Sequence, residues 1–552
     1  MLPRSKLLPY ILPGFVFLCS LVFFLGAVEV FNSSVAVYHD AMWDFIPAVA
    51  MIRGESLARP FEIRCFHDPI PILTTPYSGA LKVWLLAPLV KILPLSPRVI
   101  LILNVLFGLI YLMALYWALV PLVGRIWASA VLALPFLDTN FLITVPVDTG
   151  ISLIQYILIS LTAGALFRYV SDPQLKHMWA AYFLGGCVLS QKLTALPIVI
   201  GLVIVLAAVS VRRFLETVRT GAVRRAVVSY LLTPVALFIT PLVLHIYYFW
   251  WHGFAELKES TAQGAWRPYF TAIASNFAYF FTSFDGWDWY RRLTLDDRTD
   301  LIKTPYLAIF ALSIIALSLA VYLFSRKGRA TGRNSALCLA PCTLGFLLYP
   351  AFRGLYRPRH LMVLGPLFLC SFIVAAHHIV TWAGERFRGL ARGAAISVLV
   401  FLVSTSTLQS FEVLKRLGSR KGICVTSPAF YGLYDSIARS KVRFVYAINY
   451  SMAYPIYVLS KGAVHVVDLA WADLSDERVE ELIRNVKRDA DTVIIYRYCA
   501  CKASEPTWIE WLNREAELPG FIKRLANREL STVRYRDDRQ TEFVLVSQKA
   551  VP

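Results

Sequence analysis

The sequence predicts a polytopic α-helical membrane protein that ends in a small soluble α/β domain. Hydrophobic residues make up 57% of the 552 residues and charged residues only 16%, whereas soluble proteins carry roughly 25% charged residues. Lys and Arg number 55 against 36 Asp and Glu, a net charge of +19. Long apolar stretches leave no continuous basic face, so we predict no nucleic-acid partner. Instead, the charge indicates cations gathered on one side of a membrane.

Eleven apolar stretches predict membrane-spanning helices, most of them with the expected length of about 17–25 residues; the shorter ones are expected to be broken or half-spanning helices. They lie at about 7–30, 98–121, 126–145, 149–167, 178–190, 195–211, 227–250, 304–325, 335–350, 360–381 and 393–412. The first is preceded by Arg4 and Lys6 and lacks a small-residue cleavage site. We therefore expect an uncleaved anchor, not a removed signal peptide.

The charges of the connecting loops predict the orientation. If the N-terminus is cytoplasmic, the cytoplasmic connections are rich in Lys and Arg and hold only three acids, Asp172, Glu216 and Glu385. This is the positive-inside pattern. The segments 31–80, 251–303 and 413–552 then face outside. We expect a multi-pass protein of a bacterial inner membrane with an extracytoplasmic C-terminal domain.

Residues 413–552 are predicted to form that α/β domain, and residues 1–412 the membrane domain. Short runs rich in Val, Ile and Tyr at 442–448, 463–469, 492–498 and 542–547 predict strands. An amphipathic helix is expected at 475–490, with further helices at 428–440 and 505–527. Alternation of strands with helices is typical of an α/β fold.

Four polar clusters, distant in sequence, are predicted to meet on the outer side of the membrane. Asp40 and Asp44 follow the first span, Asp148 precedes the fourth, and Lys192 separates two apolar stretches. Arg357-Pro358-Arg359-His360 opens the tenth span. Ionisable residues at span edges are costly and often functional. Asp148 is equally suited to capping a helix, and Lys192 to extending towards the interface.

The order of these motifs resembles the GT-C superfamily of polytopic glycosyltransferases, of the protein mannosyltransferase and aminoarabinose transferase type. His39-Asp40-Ala41 with Gly54 is similar to the family's first outer loop, and Pro76-Tyr77-Ser78-Gly79 with Val83-Trp84-Leu85 to the stretch that follows. Gln191-Lys192-Leu193-Thr194 and Arg357-Pro358-Arg359-His360 resemble two later motifs. The resemblance covers roughly residues 7–412.

The resemblance implies transfer of a sugar from a polyprenyl-phosphate carrier to a lipid, glycan or protein acceptor, with inversion. Asp40 matches the family's catalytic base, and Asp44 and Asp148 would orient the acceptor or support a metal ion. The cations Lys192, Arg357 and Arg359, together with His360, would hold the donor phosphate. Ala41 replaces a family Glu and His360 a family Tyr, which leaves open whether a divalent cation is required.

Two other classes of protein are compatible with the same spans. One is a transporter or flippase of a glycolipid or other envelope precursor, although transporters place their sites near the bilayer midplane and often contain inverted repeats. The other is a scaffold that binds glycans or partners through residues 413–552. Hexose, pentose and amino sugars all fit the sequence equally, and only the position of the C-terminal domain suggests that it recognises the acceptor.

Overall fold

The structure is a computed structural model of the chain. It describes residues 4–34, 42, 44–56, 62–65, 68–75, 78–137, 141–142, 145–146, 148, 153–252, 305–324, 329–348, 365–386, 397, 404, 407–408, 410–415, 418–419, 427–449, 452–469, 474–499, 518–526, 528–536 and 541–549.

Long apolar helices dominate the first three quarters of the described chain. In chain order they are α1 (Arg4–Ser34), α2 (Phe45–Arg53), α3 (Leu81–Ile92), α4 (Pro97–Ala128), α5 (Leu134–Leu137), α6 (Leu153–Ser171), α7 (Leu175–Gln191), α8 (Leu196–Arg219), α9 (Val223–Val227), α10 (Thr233–Ile239), α11 (Val243–His252), α12 (Pro305–Phe324), α13 (Arg329–Leu348) and α14 (Gly365–Arg386). Four short strands lie between α2 and α3: β1 (Glu62–Cys65), β2 (Asp68–Pro71), β3 (Leu73–Thr75) and β4 (Ser78–Gly79).

Five helical stretches of the described chain are long and apolar enough to cross a membrane, and the protein is an integral multi-pass membrane protein. The five are Pro9–Ser34, Pro97–Phe136, Leu153–Ser171, Leu193–Arg219 and Val223–Trp250. Shorter apolar helices cover Ser313–Leu323, Leu337–Leu348 and Leu367–Ala383. Helices thus occupy most of the predicted spans in whole or in part. The count of eleven stays a prediction, and most of 393–412 lies outside the described residues.

The stretch Pro97–Phe136 is not one straight span. Helix α4 begins beside the end of α1, where Arg98 pairs with Glu29 at 2.5 Å. Its direction changes at Gly124, whose backbone is not helical (φ 76, ψ 170). The next residue, Arg125, stacks 4.2 Å from the ring centre of Tyr10, near the start of α1. The chain after Gly124 then runs alongside α1, which agrees with the separate spans predicted at 98–121 and 126–145.

The C-terminal part forms a five-stranded sheet with helices on both faces. Its elements are α15 (Ala429–Arg439), β5 (Phe444–Ala447), α16 (Ala453–Leu459), β6 (His465–Asp468), α17 (Asp476–Arg488), β7 (Thr492–Cys499), α18 (Leu518–Ala526), β8 (Ser531–Arg536) and β9 (Thr541–Ser547). The strand order is β6-β5-β7-β9-β8. Strand β5 runs parallel to β6 and β7, and β9 runs antiparallel to β7 and β8.

The four predicted strands are present, and so are the predicted helices at 428–440 and 475–490. Strand β8 and helix α16 were not predicted. Residues 505–517 of the third predicted helix lie outside the described residues. The division of the chain between residues 412 and 413 stays a prediction.

One buried apolar core runs from the membrane helices through α2 to one face of this sheet. It contains Ala48 and Val49 of α2, Ile456 of α16, and Val445 and Phe543 of the sheet. The other face of the sheet has a separate core with α17 and α18. Because burial of apolar surface is the main stabilising contribution to folding, the first core fixes the sheet against the membrane part.

Candidate functional site

A buried lysine lies at the centre of the candidate site. Lys82 is the second residue of α3, and only 1% of its surface is exposed. Its ammonium donates a hydrogen bond to Asp148 Oδ2 and lies 3.0 Å from Asp44 Oδ2. The ring centre of Phe107 lies 5.7 Å from the same nitrogen. A buried charge is tolerated only when it is paired in this way.

Asp148 is held on both of its carboxylate oxygens. Oδ2 accepts from Lys82, and Oδ1 accepts from the backbone N–H of Leu153, the first described residue of α6, at 3.2 Å. Its backbone is left-handed (φ 44). Both uses considered for this residue, the helix cap and the site acid, are therefore compatible with its contacts.

Burial governs the electrostatics of this pair. It raises the pKa of Asp148 to about 6, although the ammonium of Lys82 and the N–H of Leu153 act in the opposite direction. Burial alone would lower the pKa of Lys82, but the carboxylates of Asp148 and Asp44 outweigh it and raise that pKa. Lys82 therefore stays protonated at neutral pH, and one ammonium faces two carboxylates.

Asp44 connects the cluster to helix α2. It is the residue immediately before α2, the position of an N-cap, yet its side chain makes no capping hydrogen bond to the helix. Its carboxylate is instead directed to Lys82. This ion pair makes Asp44 part of the candidate site.

Asn104 and Gln155 support the two backbone segments of the site. The amide Nδ2 of Asn104 donates to the carbonyl oxygen of Pro146 at 3.0 Å, two residues before Asp148. The amide Nε2 of Gln155 donates to the carbonyl oxygen of Lys192 at 3.3 Å. Both side chains are at most 1% exposed. Such buried hydrogen bonds hold a backbone segment in one arrangement.

The hairpin of β3 and β4 brings the Lys192 segment to the start of α3. Ser78 of β4 forms a β-bridge with Lys192, the residue that ends α7. A Cβ atom at the next residue, Gly79, would overlap the carbonyl oxygen of Ser190. Only glycine allows this approach. The backbone around Lys192 is therefore fixed against Ser78 and Gly79, which precede Lys82 in the chain by four and three residues.

Gly79→Ala is expected to push this hairpin away from α7. The added methyl meets backbone, which cannot rotate aside, so we expect a loss of about 1–3 kcal/mol of stability, the usual cost of overpacking. Thermal unfolding of the purified variant measures the loss, with Gly26→Ala as the control because a Cβ there meets nothing within 4 Å. Equal unfolding temperatures for both variants would contradict the close approach.

Four of the predicted site residues, Asp40, Arg357, Arg359 and His360, lie outside the described residues. Two described residues follow Asp40 closely in the chain: Met42, which is fully buried in the main core, and Asp44.

Lys82 is the residue that the sequence reasoning missed. It stands beside Val83-Trp84-Leu85, a stretch that resembles a family motif, but the motif itself does not include Lys82. A signal was present, because an ionisable residue in the apolar run Leu81–Ile92 needs a partner. Its two partners lie 38 and 66 residues away in the sequence, so no local pattern identifies them.

Lys82 lies between Asp44 and Asp148 and pairs with both. Within the described part of the chain, no group of three or more His, Cys, Asp or Glu residues has the arrangement of metal ligands. The support of a metal ion by Asp44 or Asp148 stays a prediction.

Comparison with known proteins relates the fold to solved membrane transferases. No protein-family model matches the chain, and no curated protein sequence matches it. ArnT from Cupriavidus metallidurans, in a crystal structure bound to undecaprenyl phosphate, aligns over 96% of this chain and 98% of that chain, with 12% identity and a TM-score of 0.52. The apo oligosaccharyltransferase of Archaeoglobus fulgidus aligns over 98% of this chain and 75% of that chain, with 10% identity and a TM-score of 0.46. The fold is therefore similar to that of the ArnT structure, in agreement with the resemblance of the motifs.

Proposed function

We propose that the chain is a glycosyltransferase that moves a sugar from a polyprenyl-phosphate donor to a lipid, glycan or protein acceptor on the outer face of the membrane. The observation that carries this proposal is the buried Lys82 cluster. It joins the ends of three segments, before α2, at the start of α3 and before α6, next to the chain that bears Asp40. The proposal includes an inner-membrane location with a cytoplasmic N-terminus.

The reaction needs one base. The acceptor hydroxyl attacks the anomeric carbon as the bond from that carbon to the phosphate oxygen breaks, which inverts the configuration in a single displacement. The carboxylate of Asp40 takes the hydroxyl proton, and the electron pair of the broken bond leaves with polyprenyl phosphate. No second nucleophilic carboxylate is required.

The leaving phosphate needs positive charge. Lys192, Arg357 and Arg359 would supply it, with His360 as a further hydrogen-bond donor, since preorganised cations stabilise the charge that develops on a leaving group. The support for Lys192 is its fixed backbone, which is bridged to Ser78 and held by Gln155. Arg is suited to paired hydrogen bonds with phosphate oxygens.

Lys82 fixes the two acids next to the reaction. Asp148 and Asp44 each direct a carboxylate oxygen to its ammonium. In this proposal they therefore orient the acceptor and the Asp40 segment and do not act as bases. A positioned group gains much of its catalytic effect from a fixed geometry.

The fold supports the donor class. The ArnT structure, whose fold is similar, holds undecaprenyl phosphate, a polyprenyl phosphate. The alternative, a transporter, would bind its substrate near the middle of the bilayer.

Asp40→Asn tests the proposal. We expect the variant to fold like the native protein and to lose transfer by about 10²-fold or more, as is typical of a missing general base. Transfer is measured with the full-length protein in lipid nanodiscs and radiolabelled polyprenyl-phosphate sugars. Mass spectrometry of envelope glycans from a deletion strain identifies the sugar.

Asp68→Asn is the matched control, because Asp68 is another acid of the same loop and lies in strand β2. It should transfer at the native rate. Full activity of a folded Asp40→Asn variant would exclude Asp40 as the base and with it the proposed mechanism.

A further inference from the structure

The end of helix α2 opposite the Lys82 cluster contacts the C-terminal sheet domain. Tyr457 of α16 donates a hydrogen bond from its hydroxyl to Glu55 Oε2 at 2.8 Å. Arg53, the last residue of α2, donates from Nη1 to the carbonyl oxygen of Lys461 at 3.3 Å. Arg53 and Glu55 also form an ion pair. We call these contacts the α2 contact; its two hydrogen bonds to the C-terminal domain join residues more than 400 positions apart in the chain.

The backbone of the C-terminal domain packs closely against the side chain of Arg53 at Gly462. Lys461 and Gly462 both have left-handed backbone conformations, with φ of 51° and 72°. A Cβ atom on Gly462 would lie 2.6 Å from Cδ and 2.9 Å from Nε of Arg53. Glycine therefore leaves room for the side chain of Arg53 beside the backbone of the turn. Any larger residue in place of Gly462 would push α2 and the C-terminal domain apart.

The protonation states of Glu55 and Tyr457 favour the hydrogen bond between them. Burial alone would raise the pKa of Glu55, but the hydrogen bonds from Arg53 and Tyr457 outweigh it and lower that pKa. Burial and the neighbouring Glu55 raise the pKa of Tyr457. At neutral pH the phenol is therefore a donor and the carboxylate an acceptor, which gives a charge-assisted hydrogen bond.

Helix α2 links this contact to the site. It has nine residues, so it is about 13 Å long. At its other end Asp44 bonds Lys82, which in turn bonds Asp148. Phe45, Ala48 and Val49 between the two ends are fully buried. A closely packed helix moves as a unit, so a displacement at Arg53 shifts Asp44 as well.

We propose that Glu55 and Tyr457 are positioning residues, through which the C-terminal domain holds α2 and thereby sets Asp44 against Lys82 in the transfer site. The inference rests on the proposed function and deepens it. The domain then acts on the rate of transfer through α2, in addition to any contact it makes with the acceptor. The interaction is intramolecular and joins residues on opposite sides of the predicted domain boundary.

Tyr457→Phe is the test, because it removes one hydroxyl and keeps the ring that packs in the core. Hydrogen exchange is measured on the full-length protein in nanodiscs. The amides of Phe45–Arg53 should exchange about tenfold faster or more, the lower end of the range expected when a hydrogen bond to a charged group is lost. The kcat of transfer from undecaprenyl-phosphate-linked sugars should fall by a similar factor, with KM for the donor within about twofold.

Tyr434→Phe is the matched control. Tyr434 is a half-buried tyrosine of α15 in the same domain, outside the α2 contact, and its variant should show native exchange and native kcat. Glu55→Ala removes the acceptor of the Tyr457 hydroxyl and also the ion pair with Arg53. Its effect should be at least that of Tyr457→Phe, and the double variant should be little worse than Glu55→Ala, because the Tyr457 bond is already lost there.

Two results would overturn the inference. One is equal exchange of α2 in Tyr457→Phe and Tyr434→Phe, and the other is faster exchange without a fall in kcat. Absence of transfer by the native protein with every undecaprenyl-phosphate sugar would instead refute the proposed function. The exchange experiment would still decide whether the C-terminal domain holds α2, so the two failures are distinguishable.

Discussion

Lys82→Met is expected to destabilise the protein by about 3–5 kcal/mol, the usual cost of removing one partner from a buried ion pair. The variant leaves the carboxylates of Asp44 and Asp148 without their common cation, and the Asp148 side chain is almost fully buried. The unpaired carboxylates of Asp44 and Asp148 then destabilise the fold, become protonated, or move apart. All of these outcomes disrupt the segment next to Asp40, so transfer should be lost as well.

Thermal and denaturant unfolding in nanodiscs measure the first effect, and transfer from polyprenyl-phosphate sugars measures the second. Lys91→Met is the matched control, since Lys91 lies in the same helix and is exposed to solvent. It should leave both quantities unchanged. Lys82→Arg keeps the charge and should recover part of the stability. If Lys82→Met unfolds like Lys91→Met, the cluster does not hold these segments together.

The membrane part of the fold was predictable because its physics is local. A spanning segment must satisfy its own backbone hydrogen bonds, so an apolar run of sufficient length forms a helix whatever surrounds it. That reasoning placed helices such as α1, α6 and α8 close to their true positions. It also separated the segments on either side of the kink at Gly124, since Arg125 interrupts the apolar run.

Parts of the C-terminal domain were missed for equally physical reasons. Strand β8 alternates half-buried with exposed residues and carries Arg534 and Arg536 at the edge of the sheet. Charged edge strands have little of the Val and Ile signal that predicts a strand. Helix α16 has only seven residues with Pro455 among them, so tertiary packing and not helix propensity determines its conformation.

The candidate site was likewise predictable only where local sequence determines it. Asp44 and Asp148 could be singled out because each is an acid next to an apolar run. The ion pair between them and Lys82 could not, because it depends on how α2, α3 and the segment before α6 pack together. The same is true of Tyr457 and Glu55, whose hydrogen bond joins residues 402 positions apart.

Asp148→Asn should change the pH dependence of transfer. With the pKa of Asp148 raised to about 6, native activity is expected to fall as the pH drops through 6, because protonation removes the carboxylate that Lys82 binds. Asparagine has no such titration, so the variant should lack this acid limb. At pH 7.5 it should be slower by about 10²-fold or less, the cost of a slightly misplaced group. Rates measured from pH 5 to 8 test this.

The stability of the fold should depend on pH in the opposite sense. The folded-state pKa of Asp148 lies above its value in an unfolded chain, so the folded protein binds this proton more readily. Protonation between about pH 6 and 4 therefore adds stability as far as this carboxyl is concerned, relative to Asp148→Asn. Asparagine also tolerates the left-handed backbone at this position (φ 44). An acid limb that persists unchanged in a folded Asp148→Asn variant would assign the titration to another group, and the coupling of Asp148 to transfer would be wrong.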